Sequence, residues 1–394
     1  MISRYDPPMT LSLDQHALQK LAEIKAKTLT RRLSPTTREP DARVMRGKTG
    51  LIAFCDNDYL GLSQHPALKQ AAIEATEKYG AGTGASRLIT GDNPLYTALE
   101  SRIARIKGTQ ASVVFGSGYL ANIGIIPAFV GPGDLIVADE LSHACMHGGA
   151  TLSGSDIRFF AHNDAQDCAK ILAEHRPHYK NVLVMTEGVF SMDGDCAPIE
   201  ALSTLTRDMD CWLLVDDAHA LGVINQGRGS GFAKGDHTPI DLHMGTLSKA
   251  AGAYGGYLAA SRAAIDLMVN RARSLIFTTA LPPGVLAAAE KGLELIETDA
   301  ALVSKPIAKA RLFTDALSLK PAESAVVPLI IGDEARALSA SSALEKEGFL
   351  VTAIRPPTVP KGTARLRVTF SAAHSDDDVL ALAHAITKLD LVSV

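Results

Sequence analysis

Residues 211–219 read CWLLVDDAH. An apolar run, Cys211 to Val215, ends in two adjacent aspartates and a histidine. A strand with one wet face alternates apolar and polar residues. This one does not, so both of its faces are covered, as in a parallel sheet packed between helices. The same pattern recurs on both sides of it: ASVVF at 111–115, DLIVAD at 134–139, IRFFA at 157–161, NVLVMTEG at 181–188, LHMGTLS at 242–248 and GGYLAAS at 255–261. Helical patterns fall between most of these runs, at 119–129, near 142–150, at 165–174 and at 198–208. Right-handed crossovers then wind the strands into an α/β, doubly wound, mostly parallel sheet.

Outside this block the character changes. Leu11, Leu18, Leu21 and Ile24 recur at helical intervals, which predicts an amphipathic helix over about 11–30. The polar stretch at about 34–50 reads as a surface link. Beyond 285, long helical patterns lead to AVVPLIIGD (325–333), a helix at 335–347, LVTAI (350–354), ARLRVTFS (364–371) and a last helix with Ser375 as N-cap and acids in its first turn. The expected division is an N-terminal helix and link over 1–50, a large α/β domain over 51–285 and a smaller α+β domain over 286–394.

Composition excludes several function classes. The chain has 394 residues, of which 46% are hydrophobic and 21% charged, with a net charge of −4. Acids and bases are mixed, with no basic stripe for nucleic acid. No apolar run reaches the ~18 residues of a membrane span. The first residues carry neither a secretory nor a transit pattern. Five scattered cysteines without a CxxC spacing fit reduced thiols in a cytoplasm.

In open α/β sheets, ligands bind beyond the carboxyl ends of the strands. The polar residues there form a set. VVFGSGYLAN (113–122) puts Gly116-Ser117-Gly118 between a strand and a helix, where backbone N–H groups make an anion site or an ordinary tight turn. YGAGTGASRLITG (79–91) is also glycine-rich. It follows a helical pattern rather than a strand, and no G-K-[ST] is present, so dinucleotide and ATP loops are disfavoured. Asp216, Asp217 and His219 follow one strand, His143 another, and Ser191 and Asp193 a third, within a Met192–Asp195 turn. A metal pair at Asp216-Asp217 lacks further ligands at matching spacing. Lys249, in GTLSKAAG (245–252), follows a fourth strand and has no acidic residue within four positions. A phosphate cradle, a carboxylate, a flat neighbour and a lysine together suit pyridoxal 5′-phosphate (PLP). Its aldehyde takes a lysine, and its pyridinium nitrogen takes an acid.

Five words in order, NDYLGL (57–62), DELSHAC (139–145), EGVFSMDGD (187–195), VDDAH (215–219) and GTLSK (245–249), resemble those of the α-oxoamine synthases. The resemblance runs from about Leu51 to Ser371. It implies a fold-type I PLP-dependent transferase, similar to aspartate aminotransferase. By resemblance, Lys249 would hold PLP and act as acid and base, Asp216 would pair with the ring nitrogen, and His143 would stack on the ring. Ser191 and His219 would reach the ring's phenolic oxygen. The Gly118 and Tyr119 backbone and Thr246 would hold the phosphate. FTTALPP (277–283) implies that Thr278 or Thr279 reaches the partner's phosphate in a homodimer. Asn57 would line the substrate side, Arg367 would bind an amino-acid carboxylate, and Arg355 would lie near the acyl chain. RPPTVP (355–360) points within the family to the condensation of L-alanine with a pimeloyl thioester, on CoA or a carrier protein. Leu247-Ser248 before the lysine and Ala220 after the acids depart from common family residues. Arg31-Arg32 has no secure register. Three alternatives stay open: a sister synthase using glycine, a non-catalytic partner subunit and a nucleotide-binding dehydrogenase, the last disfavoured by its glycine positions.

Overall fold

The computed structural model describes residues 11–26, 29–235 and 237–391. Its strands are β1 (Thr37–Arg38), β2 (Arg43–Arg46), β3 (Thr49–Ala53), β4 (Ala111–Phe115), β5 (Leu135–Asp139), β6 (Asp156–Phe160), β7 (Val182–Glu187), β8 (Trp212–Asp216), β9 (Leu242–Thr246), β10 (Gly256–Ala260), β11 (Val326–Gly332), β12 (Phe349–Leu350), β13 (Thr352–Ile354) and β14 (Ala364–Thr369). Its helices are α1 (Leu11–Ala26), α2 (Pro66–Tyr79), α3 (Pro94–Lys107), α4 (Gly118–Phe129), α5 (Ala144–Ser153), α6 (Ala165–His175), α7 (Ile199–Asp208), α8 (Arg262–Arg271), α9 (Arg273–Ile276), α10 (Pro283–Thr298), α11 (Ala300–Ala316), α12 (Glu334–Lys346) and α13 (Asp376–Lys388).

All seven apolar runs become strands of one sheet, in the order β4-β10-β9-β8-β7-β5-β6. Strands β9, β8, β7, β5 and β6 run parallel, while β10 runs antiparallel to both of its neighbours. One face packs on α4, α5 and α8 through Ile125, Met146, Leu214 and Met268. On the other lie Tyr96, Leu99, Tyr257, Leu286 and Leu293. Each such fully buried side chain contributes roughly 1.5–3 kcal/mol. Strand β6 is one edge, opposite β4, and its Phe159 stays exposed.

The polar stretch at 34–50 is more than a link. It holds β1, β2 and the start of β3, an antiparallel set that β12 extends in parallel. Arg38, Arg43 and Arg46 of this stretch ion-pair with Asp56, Asp378 and Glu345, so its polar composition is spent on a one-sided sheet. Beside it, β11-β14-β13 pack against α11, α12 and α13 through Phe313, Leu344, Val368 and Ile386. Ser375 caps α13 in a full capping box with Asp378. Helix α1 forms over part of the predicted range, and Leu18, Leu21 and Ile24 on it are exposed. Residues 27–28 of that prediction lie outside the described residues. No helix among the described residues is long and apolar enough to cross a membrane.

Candidate active site

The carboxyl ends of β7, β8 and β9 deliver Glu187, Asp216 and Thr246 to one cavity of about 230 Å³. Ser117, Gly118 and Tyr119 at the start of α4, His143 and Cys145 at the start of α5, and Ala218, His219, Met244, Ser248 and Lys249 complete its wall. The strand-end rule thus gathers most of the residues singled out in the sequence.

Lys249 Nζ lies 2.7 Å from His219 Nε2. Burial pushes the lysine down to about 8, against the opposing pull of Asp216 and Glu187. Burial, then the Lys249 charge, holds the buried His219 well below the ordinary imidazole range, so it is neutral. Its Nδ1 lies 2.6 Å from the Tyr59 hydroxyl. Arg367 Nη2 donates to that hydroxyl at 3.3 Å and to Asn57 Oδ1 at 3.1 Å, and Arg367 Nε donates to the Ser191 carbonyl at 2.5 Å. Arg367 is buried and makes no ion pair among the described residues. A buried guanidinium without an anion is costly, and a bidentate carboxylate suits it.

Asp216 is also buried without an ion-pair partner among the described residues. Its Oδ1 accepts from the Ala218 N–H at 2.9 Å and its Oδ2 from Asn122 Nδ2 at 2.8 Å. The same Asn122 amide donates to Cys145 Sγ at 3.1 Å, and that sulfur lies 2.8 Å from His143 Nδ1. A chain of hydrogen bonds therefore links the acid to the histidine. Burial pushes the Cys145 thiol up to about 12, which keeps it a donor rather than a nucleophile. Glu187 pairs in register with Asp216 across β7 and β8. Burial, then the Asp216 charge, pushes it up to about 8, which keeps it protonated at neutral pH. The neighbouring Asp217 serves differently: it is buried against Lys107 Nζ at 2.5 Å, and Lys107 also donates to the Arg228 carbonyl.

The floor is a helix N-terminus. Ser117 caps α4 through the Leu120 N–H, and the Thr246 and Ser248 hydroxyls lie 2.7 Å apart beside it. A Cβ on Gly256 would stand 2.5 Å from the Ser117 carbonyl, so only glycine lets β10 approach this turn. Unpaired N–H groups and two hydroxyls make an anion cradle. PLP fits these residues: the cradle would take its phosphate, Asp216, which makes no ion pair among the described residues, its ring nitrogen, and the Lys249 amine its aldehyde.

Some expected residues lie elsewhere. Ser191 is absent from the cavity wall and contributes its backbone, to Arg367 and Glu187. Asp193 ion-pairs with Arg365, and the 192–195 turn closes through the Gly194 N–H on the Phe190 carbonyl. Thr278 and Thr279 lie outside the wall, Thr279 bridging to Ser86. Arg355 follows β13 at the edge of the smaller sheet, and Asn57 lies outside the wall, reaching it through the Tyr59 hydroxyl and Arg367. Tyr59, Asn122, Cys145 and Glu187 were not singled out as site residues. Glu187, the last residue of a buried strand, carried the clearest signal.

The model of the aminotransferase class I and II family matches residues 49–386. A putative 8-amino-7-oxononanoate synthase of Caulobacter vibrioides is 55% identical over 378 residues, 96% of this chain and 98% of that protein. The 8-amino-7-oxononanoate synthase of Beijerinckia indica is 52% identical over the same shares. Among solved structures, a serine palmitoyltransferase from S. paucimobilis with a bound PLP–myriocin aldimine superposes with a TM-score of 0.89 at 27% identity, covering 98% of this chain and all of that one. An 8-amino-7-oxononanoate synthase from Francisella tularensis gives 0.74 at 26% identity, covering 86% of this chain and 98% of that one.

Proposed function

We infer the activity from a settled premise: the chain belongs to the aminotransferase class I and II family, within its α-oxoamine synthases. It is a PLP-dependent acyltransferase of biotin biosynthesis, with the reaction of an 8-amino-7-oxononanoate synthase. L-Alanine and a pimeloyl thioester give 8-amino-7-oxononanoate, CO₂ and the free thiol. The observation that carries this reading is a single cavity holding the Lys249 amine, pushed down to about 8, together with a buried Asp216 that makes no ion pair among the described residues.

When bound, PLP supplies a carbonyl that captures an amine and a ring that withdraws electrons from the carbon beside it. Lys249 would hold that carbonyl at rest and, once freed, takes the Cα proton of the amino acid. With a pKa of about 8, roughly a tenth of this amine is unprotonated at pH 7, far more than an ordinary lysine offers a base. Asp216 would keep a proton on the ring nitrogen. Asn122 and the Ala218 N–H hold both of its oxygens in place. His143, fixed by Cys145, would cover the ring. His219 and Ser191 are assigned to the ring hydroxyl, and Gly118, Tyr119, Thr246 and the α4 N-terminus to the phosphate. Arg367 fixes the amino-acid carboxylate, with Asn57 beside it, and this orients the bond that breaks when CO₂ leaves. Arg355 lies toward the acyl chain.

A homodimer with shared sites is part of the reading. Leu88, Ile89 and Phe277 are exposed around the Ser86–Thr279 bridge, an apolar patch next to the two threonines assigned to the partner's phosphate. The described cysteines are all free, which supports a reducing cytoplasm.

The test is the absorbance of the protein with PLP, then product analysis by mass spectrometry. A band above about 400 nm, perturbed by L-alanine and lost in Lys249→Ala, with 8-amino-7-oxononanoate formed from pimeloyl-CoA, supports the reading. A protein that stays colourless with PLP refutes it. Turnover with glycine and a shorter acyl thioester, and none with L-alanine, reassigns it to a sister synthase.

A further inference from the structure

Tyr59 joins the two halves of the site. Its ring is buried in the core below the cavity, and its hydroxyl meets three polar groups. Arg367 donates to it at 3.3 Å, so one lone pair is taken. Its own proton can go to His219 Nδ1 at 2.6 Å or to Asn57 Oδ1 at 3.3 Å. A neutral imidazole carries one proton on its two nitrogens, so the two choices have opposite consequences. If Tyr59 donates to Nδ1, the His219 proton sits on Nε2 and is donated to a neutral Lys249 amine. If Tyr59 turns to Asn57, Nδ1 carries the proton and Nε2 accepts from Lys249, which favours its ammonium form. Both arrangements satisfy every hydrogen bond along the chain from Arg367 to Lys249.

We propose that Tyr59 is a positioning residue that couples the Arg367 carboxylate site to Lys249 by selecting the tautomer of His219. The proposal rests on the roles assigned above to Arg367 and Lys249. A carboxylate on Arg367 draws Nη2 away from Tyr59 and resets its hydroxyl. The tautomer, and with it the protonation of the lysine, then follows occupancy of the amino-acid site. Other groups also face these two residues: Asp216, Glu187, Arg367 and Cys145 around Lys249, and Arg367 and His143 around His219. Apart from the bond that Arg367 gives the hydroxyl itself, they act through space and persist when the Tyr59 hydroxyl is removed, so the variant isolates the relay.

The test is Tyr59→Phe, which keeps the buried ring. In PLP-free protein labelled with ¹⁵N-histidine, with the His219 signals assigned through His219→Gln, the wild type above pH 8 is expected to show a bare Nδ1 and a protonated Nε2. Propionate, a carboxylate without an amine, is expected to shift them. Tyr59→Phe should give signals averaged over both tautomers and less than half of the propionate response. In the holoenzyme its kcat should fall roughly tenfold, short of the ~10²–10⁴ for losing a proton-transfer group, with KM for L-alanine nearly unchanged. Wild-type His219 signals and propionate response in Tyr59→Phe overturn the proposal. The labelled-histidine result needs neither PLP nor turnover, so it stands apart from failure of the proposed activity.

Discussion

Replacing His162 by glutamine should cost stability in a way that depends on pH. His162 bridges two carboxylates, with Nδ1 3.1 Å from Asp139 Oδ1 and Nε2 2.9 Å from Asp195 Oδ2. Burial opposes the charge on the ring, but the two carboxylates win and raise its pKa from 6.5 to about 10. Asp195 is held below the usual carboxylate range by the same contact, so both partners agree in direction. The gap between 6.5 and about 10 corresponds to ~4–5 kcal/mol at 1.36 kcal/mol per tenfold. The side chain is 20% exposed, and screening by water reduces the expected contribution to roughly 3 kcal/mol. Because the folded pKa is raised, this stability is fully present below pH 6.5 and is lost as pH rises through about 10. The clamp ties the turn after β7, whose Ser191 carbonyl holds Arg367, to the end of β5. Urea unfolding of wild type and His162→Gln at intervals from pH 6 to pH 10.5 gives the difference directly. A gap of roughly 3 kcal/mol at pH 6 that closes toward pH 10.5 is expected. A gap below about 0.5 kcal/mol at pH 6, or one that does not change with pH, refutes the reasoning.

Two further outcomes follow from the site. Cys145→Ala breaks the hydrogen-bonded chain between Asp216 and His143 and should lower kcat about three- to tenfold, while Cys145→Ser keeps a donor and stays near wild type; equal losses in both variants contradict a hydrogen-bonding role. Gly256→Ala drives a methyl into the Ser117 carbonyl and the Gly118 N–H, and should weaken PLP binding at least tenfold at a stability cost of about 1–3 kcal/mol. Wild-type affinity in a PLP titration would show that the cradle lies elsewhere.

The large sheet was legible because its strands, apart from the edge strand β6, are buried on both faces. Val182–Glu187 and Leu242–Thr246 are buried at every position, and a segment with no wet face leaves a continuous apolar run. Asp216 and Lys249 were legible for a related reason: each is a polar residue set just past such a run. The small N-terminal sheet was not, because Arg38, Arg43 and Arg46 give its strands the composition of a loop and their partners are distant in sequence. Asn122 and Cys145 stayed silent because an asparagine inside a helix and a cysteine after a histidine look like filler until Asp216 is brought beside them. Ser191 was read for its hydroxyl alone, and the hold of its carbonyl on Arg367 went unread. Backbone roles leave no mark in residue type.

The pairing of β12 with β3, and of Arg367 with Asn57, has a consequence for how the chain is made. Synthesis runs from the N-terminus at roughly 5–20 residues per second, so Asn57 and Tyr59 wait on the order of half a minute for Arg367. Contacts that close loops of this length form late and set the folding rate. The cradle at Ser117–Gly118, Asp216 and Lys249 all come from one earlier sheet. A nascent chain can therefore complete the pocket proposed for its cofactor before it owns the amino-acid site proposed at Arg367. The cofactor, binding only the folded sheet, then stabilises the larger part while the rest of the chain arrives.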